Sequence, residues 1–357
     1  MVGLVVLVIV AVGLGSWHIS TYAITPGDAT PVAPLVKISG LAIDPHPDRI
    51  LLTDVYLQNL TALGWIAMHF KSHVQFVTLN QLLDPGVPAD QLQAQGYLEM
   101  SDSKQAAEVA AFRALGWHIP TSATGALVTA VIAPSPALTA NLRVADEVVS
   151  ANGRAVRTSC DLVRVVHDLA PGTTLHLGVA RASISSSGAI TWRGPTTLNL
   201  RTQPSPSAEG SSGCRGVEGA SRSWIGVALE DGVHYQLPAR ISINTANIGG
   251  PSAGLAMTLT LIDQLSRGSL SGHQVIAATG TINPSGRVGD VGGVAEKTVA
   301  VERAGAKYFF VPVAEVAAAR STASPGLTIF GVTTLAQVLK DLRRLGGDAP
   351  VPLSAPQ

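Results

Sequence analysis

Apolar residues change their spacing several times along this chain, and each change marks an element. Val2 to Trp17 is almost wholly apolar, and no acid precedes Asp28. A run of that length predicts a membrane-spanning helix within residues 1–24, with Trp17 and Tyr22 as interfacial anchors. A cleaved signal peptide is the alternative, but no clear small-x-small cleavage site is present. From 35 to 120 the pattern is hardest to read. Ile38, Leu41, Ile43, Ile50, Leu51 and Val55 suggest short strands. Residues 100–115 read as a helix capped by Ser101 or Ser103, with Ala107, Ala110, Ala111 and Ala114 on one face.

The segment 121–202 alternates like a small β domain. Asn152-Gly153 is a hairpin signal. Thr158 or Ser159 caps a helix whose Leu162, Val165, Val166 and Leu169 share a face. Residues 203–222 are rich in Pro, Ser and Gly and read as a linker. In 223–345, Ile241 and Ile243 alternate in a strand, and a helix runs from Pro251 to about Leu265. Buried strands follow at Val275–Ile282 and Tyr308–Val311. A helix covers Val294–Ala304, and another runs from about Thr334 to Leu345. The mixed order predicts an α+β core, followed by a tail over 346–357.

Charge narrows the function. The formal net charge is zero with no basic tract, so nucleic-acid binding has no electrostatic support. His234 and His273 have no partners at metal-ligand spacing, and no metal or cofactor is expected. The two cysteines, Cys160 and Cys214, could pair in an oxidising compartment, but their number alone does not establish it.

Two positions carry chemistry. Ser252 lies in Gly249-Gly250-Pro251-Ser252-Ala253-Gly254, at a predicted helix N-terminus where free N–H groups and the helix dipole favour a developing oxyanion. Residues 250–254 also fit the G-x-S-x-G elbow of Ser-His-Asp hydrolases. That reading needs an acid and then a histidine downstream. The last histidine is His273, so it fails. Lysine is scarce, six against eighteen arginines, which makes Lys297 conspicuous. It shares an apolar stripe with Val294, Val301 and Ala304, where burial would disfavour its charged form. A snorkelling lysine at the edge of a core face is the plainer alternative.

These residues resemble the proteolytic domain of the Lon family over roughly 223–345. The resemblance rests on Gly250-Pro251-Ser252-Ala253-Gly254, Ala278-Thr279-Gly280-Thr281-Ile282, Gly286-Arg287-Val288, Val291-Gly292-Gly293-Val294-Ala295-Glu296-Lys297, Ala304-Gly305-Ala306-Lys307 and Phe310-Val311-Pro312. It implies a Ser-Lys dyad with Ser252 as nucleophile, Lys297 as general base and Thr279 orienting the lysine. Backbone N–H groups around Gly250, Pro251 and Ser252 would hold the oxyanion. The chain departs from the family at Ile248-Gly249 and at Thr281, where Lon commonly has acids. No G-x-x-x-x-G-K-[ST] sequence occurs in these 357 residues. Residues 121–202 resemble a PDZ domain, with Gly125, Ala126, Leu127 and Val128 as the implied peptide-binding segment.

The expectation is an α+β chain with an N-terminal transmembrane helix, a PDZ-like β domain and a Lon-type proteolytic domain. It would be an ATP-independent, membrane-anchored serine endopeptidase. Its substrates would be unfolded or extended envelope proteins, delivered by the PDZ domain outside the cytoplasm. Partners would be peptides and the membrane, with no nucleic acid, and the family's rings imply a homo-oligomer. A catalytically silent PDZ scaffold or holdase is the alternative.

Overall fold

The structure is a computed structural model and describes residues 2–44, 49–185, 188–206, 214, 217 and 223–354. Helix α1 (Val2–Ser16) contains no buried residue. At 15 residues it is about 22 Å long, short of the roughly 30 Å of bilayer hydrocarbon. No helix among the described residues is long and apolar enough to cross a membrane. The predicted transmembrane helix, and the single-pass cell-membrane placement built on it, are therefore corrected. The apolar run is cut short because the chain turns extended at His18. Tyr22, expected as an interfacial anchor, is a buried residue of strand β1 (His18–Pro31).

Strand β2 (Val36–Ser39) is followed by β3 (Arg49–Thr61), helix α2 (Ala62–Met68) and β4 (Gln75–Thr78). A long helix, α3 (Leu92–Ala114), closes this first part. The chain then builds a second sheet from β5 (Thr121–Val131), β6 (Glu147–Ala151), β7 (Thr174–Ile184) and β8 (Ile190–Arg201), with helix α4 (Ser159–Asp168) packed on it. Strand β9 (Val227–Tyr235) completes that sheet as its edge, antiparallel to β5. Most of the predicted linker, 203–222, lies outside the described residues. Within it, Cys214 is bonded to Cys160 of α4.

After β9 the chain returns to the first part. Gln236 N–H donates to Pro120 C=O at 3.0 Å, so the inserted domain leaves and re-enters at one point. Strand β10 (Arg240–Ile243) pairs with β2. Helix α5 (Gly254–Leu265), β11 (Val275–Ala278), α6 (Val294–Arg303), β12 (Tyr308–Pro312), α7 (Val316–Thr322), β13 (Thr328–Val332) and α8 (Leu335–Arg344) follow. The main sheet has the order β13-β12-β11-β3-β1-β4. Its β13, β12, β11 and β3 are parallel, and β1 and β4 are added antiparallel.

The central strands have continuous apolar runs because both faces are covered. Ile50 and Leu52 of β3 enter a core with α3, α5 and α8, while Leu51 enters the opposite core with Val294 and Val301 of α6. Phe310 and Phe309 of β12 divide in the same way. The segment 35–120 thus supplies strand β3 and helix α3 to the sheet that carries Ser252 and Lys297.

Candidate active site

The serine loop is fixed from below by helix α3. Gly250 has φ +83°, a conformation that favours glycine, and its N–H donates to Gly96 C=O at 2.8 Å. A Cβ on Gly249 would meet the Gly96 backbone at 3.2 Å, so helix and loop touch main chain to main chain. Ser103 Oγ donates to Pro251 C=O at 2.9 Å. Pro251 opens a single 3-10 turn, Pro251–Ala253, that runs directly into α5. This corrects one part of the sequence reading. Gly250 N–H is already used and Pro251 has none, so neither can donate to an oxyanion. The first N–H groups of the turn, beginning with that of Ser252, have no intrahelical partner.

Thr279 follows β11 directly and is fully buried. Its Oγ1 donates to Ser252 C=O at 3.3 Å and accepts a hydrogen bond from Lys297 Nζ at 3.3 Å. Gly280 N–H also donates to Ser252 C=O, at 2.9 Å. The expected trio is thereby gathered: serine main chain, threonine hydroxyl and lysine amine form one connected chain of hydrogen bonds.

Lys297 sits in the first turns of α6, whose N-cap Gly293 is left-handed at φ +68°. A Cβ on Gly293 would meet Val55 at 3.0 Å, so this glycine lets α6 approach β3 closely. The lysine is 2% exposed, which removes the snorkelling alternative. Burial pushes its pKa down to about 8, against a weaker opposing pull from the carboxylates of Asp54 and Glu315. Asp54 is itself raised, mainly by burial. Its Oδ1 accepts from Asp28 N–H at 2.7 Å, and Asp28 accepts from the Tyr56 hydroxyl at 2.7 Å. Sequence reasoning missed Gly96, Ser103 and Asp54. Only the spatial return of the 35–120 region to this sheet reveals them.

In the inserted domain, Gly125, Ala126, Leu127 and Val128 lie inside β5. Ala126 and Leu127 pair with Val148 and Glu147 of β6 on one side. Residues 125–128 pair with 229–232 of β9 on the other. Both edges are occupied, so this segment cannot accept an added strand, and its assignment as the peptide site is corrected. The edge beside α4 belongs to β9. There Ser159 N–H and Oγ donate to Asp231 Oδ1 at 2.7 and 2.6 Å.

Comparison with known proteins finds two families along the chain, with bounds that differ from the structural division: one match begins within α3 and stops at the start of β8, and the other begins within β9. Residues 231–343 match the Lon protease (S16) C-terminal proteolytic domain, and residues 98–190 match the PDZ domain. Lon protease 1 of Herpetosiphon aurantiacus is 30% identical over 143 residues, covering 37% of this chain and 17% of the relative. The Lon protease of Clostridioides difficile is 46% identical over 63 residues, covering 18% and 8%. That of Treponema pallidum is 40% identical over 67 residues, covering 19% and 7%. The chain spans less than a fifth of the length of these relatives. With Ser252, Thr279 and Lys297 all inside the matched region, this chain carries a Lon-type S16 serine peptidase domain, together with a PDZ domain.

Proposed function

We propose that this chain is a serine endopeptidase that uses a Ser252–Lys297 dyad and cleaves unfolded or extended polypeptides without ATP. The observation that carries the proposal is the buried amine of Lys297, held through the Thr279 hydroxyl against the nucleophile's own carbonyl. A lysine works as a base only when neutral, and burial favours that form. Ser252 Oγ attacks the peptide carbonyl carbon while its proton passes to Lys297 Nζ. The carbonyl oxygen becomes an oxyanion, stabilised by N–H groups at the start of the helical turn. As the C–N bond breaks, the Lys297 ammonium returns the proton to the leaving amine. Water then releases the acyl group, with Lys297 again taking the proton.

The 357 residues contain no P-loop, which supports cleavage without nucleotide. On this reading substrates arrive already extended. The outer edge of β9, next to α4 and paired with no strand among the described residues, supports capture of a peptide as an added strand. The test is cleavage of a reduced, carboxymethylated protein without nucleotide. Wild type should cut it and Ser252→Ala should not. Equal activity of the two would overturn the proposal.

A further inference from the structure

Thr53 of β3 is 1% exposed, and its Oγ1 has no hydrogen-bond partner among the described residues. Such a hydroxyl costs stability in the resting fold, so its position is informative. Along β3 side chains alternate, so Thr53 shares a face with Leu51, which packs in the core beneath α6. Its cross-strand partner is Ala29, which lies against that same core. On the other side, β11 runs parallel to β3 with Ala277 opposite Leu51. Continuing that register by two residues brings Thr279 beside Thr53. Lys297 projects from the same stripe of α6 as Val294 and Val301, toward this layer. Two buried threonines, Thr53 on β3 and Thr279 just past the end of β11, thus lie by this register on the side of the sheet that α6 covers, and of the two Thr279 is the one bonded to Lys297.

We infer that Thr53 is a second positioning residue for Lys297, one that takes up its hydrogen bond when the lysine becomes an ammonium. The inference rests on the Ser252–Lys297 reading above. Protonation gives Lys297 one more donor to place. Neutral Lys297 has two N–H bonds and a lone pair, and the lone pair must face Ser252 Oγ. Once it holds the serine proton it has three N–H bonds to place in a dry site. One goes to Thr279 Oγ1, and one points back to the reacting oxygen or leaving nitrogen. The third needs an acceptor, and Thr53 Oγ1 is a buried oxygen with its acceptor capacity unspent. The charges that also act on Lys297 are Asp54 of the same strand and Glu315 ahead of α7.

The test compares wild type with Thr53→Val, Thr53→Ser and Ser252→Ala, reading kcat across pH, KM and thermal unfolding. Thr53→Val should lower plateau kcat about tenfold to a hundredfold, the cost of one hydrogen bond to a charged group, with KM little changed. The midpoint of the rising limb should move to lower pH, because the ammonium has lost an acceptor. Thr53→Ser should restore both. Thermal stability of Thr53→Val, read well above pH 8 where Lys297 is neutral, should equal or exceed wild type, since an unpaired hydroxyl has been removed. An unchanged plateau and midpoint in Thr53→Val would overturn the inference. So would a Thr53→Ser variant as impaired as Thr53→Val, or loss that tracks a lowered melting temperature. Activity persisting in Ser252→Ala would instead overturn the dyad itself, so the two failures are distinct.

Discussion

Raising the pH should switch this enzyme on through Lys297. With a pKa near 8, about a tenth of the lysine is neutral at pH 7 and about nine-tenths at pH 9. kcat/KM for an unfolded substrate should therefore rise about tenfold between those values and then level off. An ordinary lysine near 10.4 would give a rise of about a hundredfold with no plateau by pH 9, and a histidine base would level off near pH 7.5. The three cases differ in both slope and plateau. Asp54→Asn refines the assay. The Asp54 carboxylate holds the lysine's pKa up against burial, so removing it should move the midpoint to lower pH. The assay is initial rates on a fluorogenic peptide from pH 6 to 10.5, with circular dichroism at each pH to establish that the fold persists. A flat profile, or a midpoint above pH 10, would refute a buried lysine base.

Ser252→Ala, Lys297→Met and the double variant should each lose at least about a thousandfold in kcat, with no further loss in the double, because the pair acts as one unit; peptide kinetics would show additivity if they act separately. Cleavage of an unfolded protein should proceed equally with and without ATP and magnesium, and strict nucleotide dependence of the purified chain would contradict the reading. Lys297→Met should also raise stability at pH 7. The folded state depresses the lysine's pKa from about 10.4 to about 8, so below pH 8 the buried ammonium costs up to about 3 kcal/mol. That cost fades as pH rises from 8 to about 10.4, and urea unfolding at pH 7 and pH 10 reads the difference. Replacing residues 121–235 by a short turn should spare cleavage of a small peptide while weakening cleavage of tail-bearing proteins, since Pro120 and Gln236 already meet; equal loss on both would make the inserted domain structural.

The sequence was most legible where chemistry is local. Ser252 and Lys297 are both marked by helical spacing, and Thr279 ends a buried strand. The structure gathers all three. It was least legible where partners are distant. Strand β3 looks like an isolated apolar run until its neighbour β11 is seen, and nothing near residue 50 announces residue 276. Ser103, read only as a helix cap, instead sits mid-helix and holds the nucleophile loop. The peptide segment failed for a similar reason. Alternation identifies Gly125–Val128 as strand but cannot tell an interior strand from an edge, and the edge strand arrives about a hundred residues later. The N-terminal run failed on geometry: apolar composition does not fix where a helix stops.

The insertion at Pro120 also sets a timetable. Ile50 must wait for Ile276 before β3 can gain its parallel neighbour. At about 5–20 residues per second, the roughly two hundred residues between them take about 10–40 s to leave a ribosome. Throughout that interval β1, β3 and β4 can pair only with one another, and α3 has no α5 to cover it. The inserted sheet, closed by β9, is complete well before β11 is made. The guest domain therefore matures inside an unfinished host, whose lysine-bearing layer and closing helix α8 are both made only afterwards.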